Sequence, residues 1–185
     1  LKSDFPILQK KIRNNNITYL DTASTSQKPN SVIESITNFY QNSYENVHRG
    51  MNSLSIDATE IFEASREKIK NFINAKSFNE IIFTKNATEG TNIIAHAMSS
   101  LLNDGDEIIT TELEHHSNFL PWLSLCKNKN LKFKVIPLLP NGTIKEEDVI
   151  NAISSSTKLV AISHMSNVTG QMIDVKKIKT STANK

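Results

Sequence analysis

Apolar residues recur at helical spacing in two segments near the start of the chain. The first segment runs from 31 to 44 and the second from 55 to 73. In the first, Val32, Ile36 and Phe39 fall on one face of a helix, and polar residues occupy the opposite face. The same period continues through the second segment, so the pattern predicts two amphipathic helices.

Further along, short runs rich in β-branched residues alternate with helical patterns. Parallel strands need a crossover connection, so this alternation predicts an α/β fold with a mainly parallel sheet and flanking helices. Residues 1–30 are interpreted as an N-terminal arm, and residues 31–185 as one incomplete domain. In chain order the alternation predicts a strand at 80–84, a helix at 88–102, a strand at 107–111, a helix at 118–127, a strand at 132–137, a helix at 145–154, a strand at 159–164 and a helix at 175–179.

Composition excludes several functional classes. The 185 residues carry a formal net charge of +2 with interspersed signs, so no basic patch for nucleic acid is expected. No apolar run approaches the roughly 18 residues that a membrane span requires, and no signal peptide is recognised. Cys126 is the single cysteine, which excludes a disulfide framework and favours a reducing compartment. Its apolar surroundings predict a buried helical residue.

Two adjacent histidines follow the predicted strand at 107–111, in the sequence Glu-His-His-Ser-Asn at 114–118. Neighbouring side chains diverge, so one imidazole can serve a site while the other packs or forms hydrogen bonds. The stretch lacks the second histidine four residues on that a helical zinc site uses, so no metal is expected. On these residues alone, a solvated loop with incidental histidines remains an alternative.

A strand, a tight turn and a helix start are predicted around Thr88. This threonine is interpreted as an N-cap or first-turn hydroxyl, with Thr91 as a second hydroxyl nearby. Free N–H groups and the helix dipole make such a terminus a phosphate site, although an ordinary capped helix without a ligand is the commoner case. Thr88, His115 and Asn167 each follow a predicted strand. If the three strands are parallel, the three loops converge on one crevice.

Ordered blocks of this chain also resemble the sequence of a known family. The blocks are 4–6 (Asp-Phe-Pro), 19–29 (Tyr-Leu-Asp-Thr-Ala-Ser-Thr-Ser-Gln-Lys-Pro), 47–50 (Val-His-Arg-Gly), 58–60 (Ala-Thr-Glu), 87–90 (Ala-Thr-Glu-Gly), 114–118 (Glu-His-His-Ser-Asn) and 163–170 (Ser-His-Met-Ser-Asn-Val-Thr-Gly). They resemble the class V aminotransferase-like cysteine desulfurases that depend on pyridoxal 5'-phosphate, and most closely the SufS-type (group II) branch with the selenocysteine lyases. The resemblance implies a truncated large domain of the fold type I transferases that bind this cofactor.

Carried over residue by residue, the resemblance assigns roles in a cofactor site. It implies that His115 stacks on the pyridine ring and assists proton transfer, and that Thr88 holds the phosphate. Asn167 is implied to contact the cofactor's 3-oxygen or the substrate. Where the family has a second threonine, this chain has Ala87, so one phosphate hydroxyl is missing. The remaining roles are substrate-side contacts for Ala23, Ser24 and His48, and places near the dimer interface and active-site entrance for Arg49 and Glu89.

The resemblance further implies a whole enzyme larger than this chain. It would be a homodimer that takes sulfur from L-cysteine, or L-selenocysteine in the related lyases, and passes it as a persulfide to a SufE-type or SufU-type acceptor for iron–sulfur cluster assembly. The family's Schiff-base lysine and persulfide cysteine are expected beyond residue 185. A catalytically silent remnant or interaction module without these groups is the alternative. A bacterial cytoplasmic location is expected, with a plastid or apicoplast as the alternative.

Overall fold

A computed structural model describes residues 1–182 of the chain. The chain divides into two compact units, Leu1–Phe83 and Thr84–Lys185. Each is described separately below. The boundary between residues 30 and 31 that the sequence suggests stays a prediction.

The first unit is mainly helical. In chain order it contains 3₁₀ turns at Lys2–Asp4 and Pro6–Gln9, the antiparallel pair β1 (Lys11–Ile12) and β2 (Asn15–Asn16), helices α1 (Asn30–Asn42) and α2 (Ser53–Ile73), and a 3₁₀ turn at Phe78–Glu80. The two predicted helices are confirmed within about two residues at each end, the usual uncertainty of helix boundaries. The side chain of Asn52 caps α2 by accepting a hydrogen bond from the Ser55 N–H at 2.9 Å.

The predicted strand at 80–84 is wrong. The segment begins inside the 3₁₀ turn Phe78–Glu80 and continues as irregular backbone. The guanidinium of Arg66, on α2, donates to the carbonyl oxygens of Phe78 and Ile81. Within the segment, the Ile81 carbonyl is therefore bonded by a side chain and not by a neighbouring strand, which β-propensity alone could not reveal.

The second unit has the alternating order that the sequence predicts. Its elements are α3 (Ala87–Ser99), β3 (Glu107–Thr111), a 3₁₀ turn at His116–Asn118, α4 (Leu120–Lys129), β4 (Lys132–Ile136), α5 (Glu146–Ala152), β5 (Thr157–Val160) and α6 (Val175–Thr182). The turns before β3 and α5 contain Gly105 and Gly142, whose φ angles are +83° and +76°. Glycine adopts this region without steric cost, as predicted for both turns.

The three longer strands form one parallel sheet in the order β4-β3-β5. All five residues of β3 are buried, as expected for a central strand with helices on both faces. Ile108 packs into an apolar cluster with residues of α3 and α4, including Ala95, Trp122 and Cys126. Ile109 points to the opposite face and packs into a cluster with residues of α5 and α6.

The α/β fold with a parallel, helix-flanked sheet is therefore confirmed. Cys126 is also confirmed as a buried helical residue, 3% exposed, and burial raises the pKa of its thiol to about 11. Within residues 1–182, no helix is both long enough and apolar enough to cross a membrane.

Candidate functional site

The structure decides between the two interpretations of Thr88 at the start of helix α3. The N-cap is Asn86, whose side-chain oxygen accepts a hydrogen bond from the Glu89 N–H at 2.9 Å. Thr88 is a first-turn residue, which was the other interpretation of this threonine. The carboxylate of Glu89 reaches back to accept from the Lys85 N–H. The spacing Asn86-x-x-Glu89 is that of a capping box, and this signal was available in the sequence.

The start of α3 offers hydrogen-bond donors to an anion. Helical geometry leaves the N–H groups of Ala87 and Thr88 without an acceptor inside the helix, and the helix dipole places partial positive charge there. The Thr91 hydroxyl, which was expected to add a donor, instead donates to the Ala87 carbonyl at 3.0 Å. The anion-binding capacity of this terminus therefore rests on the N–H groups and the hydroxyl of Thr88.

Thr88 and His115 line the same cavity. It has a volume of about 410 Å³, and both residues are exposed. The remaining lining residues are Asn92, His116, Ser117, Leu120, Pro121 and Ser124. The structure thus brings a helix terminus with anion donors and an imidazole to one cavity.

The imidazole of His115 is held through its Nδ1 atom. Nδ1 accepts a hydrogen bond from the Ser117 N–H at 3.1 Å and lies 2.8 Å from the Ser117 hydroxyl oxygen. A backbone N–H only donates, so Nδ1 must supply the lone pair, and the neutral ring then carries its proton on Nε2. His115 is also the N-cap of the 3₁₀ turn that follows it. Nε2 is consequently the nitrogen available for proton exchange.

Glu114, directly before His115, is 9% exposed and accepts four hydrogen bonds. Oε1 accepts from the Thr111 hydroxyl at 3.0 Å and from the Ser163 N–H at 2.9 Å. Oε2 accepts from the Asn118 amide at 2.7 Å and from the Ser163 hydroxyl at 2.7 Å. The donors belong to the carboxyl end of β3, the loop after β5 and the 3₁₀ turn. One carboxylate therefore ties three segments together.

Asn167 lies in a closed loop after β5. Met165 and Met172 form an antiparallel bridge, and the Ser166 hydroxyl accepts from the N–H groups of Val168 and Thr169, both at 3.2 Å. Asn167 is exposed and is not among the described residues that line the cavity of Thr88 and His115.

The predicted convergence is therefore supported in part. Strands β3 and β5 are adjacent and parallel, so the loops of His115 and Asn167 leave the same edge of the sheet. The third strand of that prediction, before Thr88, is absent from the described residues.

The other predicted site residues lie in the first unit. Ala23 and Ser24 occupy an exposed turn in which the Ser24 N–H donates to the Asp21 carbonyl at 3.2 Å. Arg49 is exposed. His48 has a φ of +68°, an uncommon value for a residue other than glycine. Its backbone N–H donates to the Thr59 hydroxyl at 2.9 Å, and this bond holds the strained backbone against α2.

The His48 ring belongs to a short charged network on α2. Its Nε2 lies 2.8 Å from a carboxylate oxygen of Glu63, and the same carboxylate accepts from Arg66 at 3.1 Å. The His48 hydrogen bond, followed by the hydrogen bond and charge of Arg66, holds the pKa of Glu63 below its ordinary value. Glu63 therefore orients the His48 side chain.

Sequence reasoning missed the residues that support the site. Glu114 and Asn118 stood within a recognised block, but no role was assigned to them, and Glu63 lay outside every block. The signal for Glu63 was its helical spacing of three residues from Arg66, typical of an ion pair. Among residues 1–182 the structure contains no cluster of three or more His, Cys, Asp or Glu side chains that could hold a metal ion.

The fold and this geometry define an α/β protein whose candidate ligand site lies at the carboxyl edge of a parallel sheet, beside a helix N-terminus and an imidazole. Residues 18–185 match the model of the aminotransferase class-V family. The chain belongs to this family.

Related proteins carry consistent names. The chain is 45% identical over 168 residues to a probable cysteine desulfurase of Staphylococcus epidermidis, a match that covers 90% of the chain and 41% of the relative. It is 43% identical over 171 residues to a cysteine desulfurase of Salmonella dublin, covering 92% and 42%. The apo structure of a cysteine desulfurase from Thermococcus onnurineus superposes with a TM-score of 0.88 at 35% identity, covering 98% of the chain and 44% of that chain. This chain spans less than half the length of these relatives.

Proposed function

We propose that this chain is the front part of a pyridoxal-phosphate-dependent cysteine desulfurase, which removes sulfur from L-cysteine and leaves L-alanine. The observation that carries the proposal is the shared cavity of Thr88 and His115, in a chain 45% identical over 168 residues to a probable cysteine desulfurase. The family membership and the anion-binding helix terminus support the same class of reaction.

The residues of this chain fit pyridoxal phosphate. The N–H groups of Ala87 and Thr88 and the Thr88 hydroxyl would hold the phosphate at the start of α3. Ala87 lacks the second hydroxyl of the family pattern, and its N–H would donate to the phosphate instead. His115, on the same cavity, would lie against the pyridine ring. When bound, the cofactor supplies an electron sink for bond cleavage at the substrate's α-carbon.

The chain's own residues would then orient the substrate and move a proton. Nε2 of His115 exchanges the proton, because Nδ1 accepts from the Ser117 N–H. Asn167 would contact the cofactor's 3-oxygen or the substrate. In this proposal Ala23, Ser24 and His48 would contact the substrate.

The finer assignment follows the block pattern of the sequence. We place the protein in the SufS-type branch, acting as a homodimer that passes persulfide sulfur to a SufE-type or SufU-type acceptor for iron–sulfur cluster assembly. Arg49 and Glu89 lie near the dimer interface and active-site entrance in this proposal. The bacterial relatives favour the bacterial cytoplasm as the location.

Alanine formation from L-cysteine by the natural-length protein tests the proposal. His115→Ala should lower turnover at least about 100-fold, within the range of lost acid–base catalysis, and should leave the stoichiometry of bound cofactor unchanged. His96→Ala is the matched control, since it removes an exposed imidazole of the same unit that does not line this cavity, and should change turnover less than about threefold.

Two results would count against the proposal. Unchanged turnover in His115→Ala refutes the role of that ring. A wild-type protein that binds no pyridoxal phosphate and forms no alanine refutes the enzyme assignment itself and favours the non-catalytic module.

A further inference from the structure

We propose that Glu114 is a positioning residue, whose buried carboxylate fixes the place of the His115 imidazole by joining the loops after β3 and β5. This role for Glu114 in catalysis rests on the proposed function, because it concerns the ring assigned to proton exchange. The geometry itself does not depend on that function.

The environment of Glu114 is built entirely from donors. Two hydroxyls, one side-chain amide and one backbone N–H converge on its two oxygens at 2.7–3.0 Å. Burying a carboxylate is costly unless its oxygens are hydrogen-bonded, and here each oxygen accepts two bonds. Ser163 is 49 residues away in sequence and supplies two of the four. The carboxylate therefore holds together segments that the chain connectivity does not join.

The network extends from Glu114 to the core of the second unit. Asn118 donates to Glu114 through its amide nitrogen and accepts through its amide oxygen from the Trp122 indole N–H, at 3.1 Å. Trp122 is 4% exposed and packs in the apolar cluster around Ile108. These two hydrogen bonds fix the amide orientation of Asn118, because the reversed amide would point its N–H groups at the indole N–H. The backbone on both sides of His115, at Glu114 and at Asn118, is thus anchored to buried groups.

Glu114→Gln tests the role with minimal change of shape. One oxygen is kept, and the introduced amide nitrogen takes the place either of Oε2, facing the Asn118 amide and the Ser163 hydroxyl, or of Oε1, facing the Thr111 hydroxyl and the Ser163 N–H. The hydroxyls can rotate to accept, but the Ser163 N–H cannot accept, and neither can the Asn118 amide, because its oxygen already accepts from Trp122. Two hydrogen-bond donors then face each other in a buried position with no acceptor between them. The backbone around His115 must shift to separate them.

Glu114→Gln combined with Asn118→Asp should restore the network. The introduced amide donates to the introduced carboxylate, whose second oxygen accepts from Trp122 as before. The remaining oxygen at position 114 still accepts from Thr111 and from the Ser163 N–H. This double variant keeps the net charge, so rescue cannot be attributed to electrostatics at long range.

Glu107→Gln is the matched control. Glu107 lies at the opposite end of β3, is 8% exposed, and accepts a hydrogen bond from the Thr157 hydroxyl at 2.6 Å. Both glutamates are buried and receive a hydroxyl donor from the side of β5. Only Glu114 adjoins His115. A purely structural effect should appear in both variants, and a positioning effect only in Glu114→Gln.

The experiment uses the natural-length protein labelled with ¹³C at the histidine Cε1 positions. The His115 resonance, identified by its loss in His115→Gln, is recorded without cofactor. Cysteine turnover is measured with cofactor bound. Glu114→Gln should move the resonance beyond its linewidth and lower kcat about 100-fold, a cost typical of misplacement by about 1 Å. The KM for cysteine should stay within about threefold. Glu107→Gln should change neither the resonance nor kcat, and the double variant should restore both.

The outcomes separate this proposal from the proposed function. If wild-type protein forms no alanine but the His115 resonance moves in Glu114→Gln and returns in the double variant, the enzyme assignment fails and the positioning role stands. If the enzyme is active and Glu114→Gln leaves resonance and kcat unchanged, the positioning role fails alone. Equal losses of kcat in Glu114→Gln and Glu107→Gln, with no rescue in the double variant, would show that Glu114 only stabilises the fold. That result would overturn the proposal.

Discussion

Gly50 closes the block Val-His-Arg-Gly at 47–50, and the structure explains on steric grounds why glycine stands there. A Cβ atom at this position would lie 2.3 Å from both Cβ and Oγ of Ser55. Ser55 is 1% exposed, and its hydroxyl donates to the Asn46 carbonyl at 2.6 Å. Its N–H also donates to the capping side chain of Asn52. Gly50→Ala must therefore displace Ser55, a buried residue at the start of α2 that donates two hydrogen bonds.

The expected cost follows from these contacts. Overpacking a well-packed place costs about 1–3 kcal/mol. Loss of the Ser55–Asn46 hydrogen bond adds about 1 kcal/mol. The smaller entropy of alanine in the unfolded chain offsets about 0.4–1 kcal/mol. The net destabilisation of the α2 start is about 2 kcal/mol, which corresponds to local opening that is about 30-fold more frequent.

Hydrogen exchange of the α2 amides in the natural-length protein measures this local opening. Gly50→Ala should speed exchange about 30-fold near Ser55 while leaving the second unit unchanged. The control is the same substitution in a Ser55→Gly background, where the clashing atoms are gone and the cost should fall to about 0.5 kcal/mol or less, the scatter of non-interacting pairs. Equal exchange rates in wild type and Gly50→Ala would refute the steric reasoning.

Three further predictions concern single residues. Gly90→Ala should stabilise α3 by about 0.5–1 kcal/mol, since the added Cβ meets the Thr84 hydroxyl only at 3.5 Å; slower amide exchange in α3 would show this, and faster exchange would contradict it. Cys126, with its raised pKa of about 11, should react with iodoacetamide at pH 8 about 100-fold more slowly than an exposed thiol, as measured by peptide mass mapping. Equal reaction rates in the folded and the urea-unfolded protein would contradict its burial. The pKa of Glu63 should rise in His48→Ala, measured by ¹³C titration of the carboxyl group. Because the folded-state pKa is lowered, the stabilisation from this group is present above its ordinary value of 4.5 and is lost as the pH falls through the folded value; an unchanged titration would refute the His48 contact.

Elements with a clear apolar run or a clear helical period were predictable from the sequence. Strand β3 has the bounds that were predicted, because a short run with four β-branched residues lies between a glycine turn and a polar loop. Helices α1 and α2 follow from their 3.6-residue period. The segment at 80–84 has the same apolar character as a strand, yet it is not one. Whether a strand forms depends on a partner, and at this place the Arg66 side chain bonds to the carbonyls instead.

The site was predictable where it depends on local geometry. Thr88 and His115 each follow a recognisable turn, and both line the same cavity. The sequence left Thr88 open as an N-cap or a first-turn residue because threonine and asparagine are both good caps, and the contacts of Asn86 and Glu89 place it in the first turn. Long-range hydrogen bonds had no local signal. The pairing of Glu114 with Ser163 exists only because β3 and β5 are neighbours, and strand order cannot be read from periodicity.

Strand order also explains why the loop after β5 contributes both to the support of His115 and to the proposed substrate contact. Because β5 lies beside β3, the loop after β5 reaches the carboxylate that precedes His115, and Ser163 becomes part of the support of the imidazole. The same loop continues to Asn167, four residues beyond Ser163. One buried carboxylate therefore sets the register between the two loops to which the proposal assigns proton exchange and substrate contact. A parallel sheet alone would place these loops at one edge, but it would not fix the position of one loop relative to the other. The four hydrogen bonds of Glu114 supply that constraint.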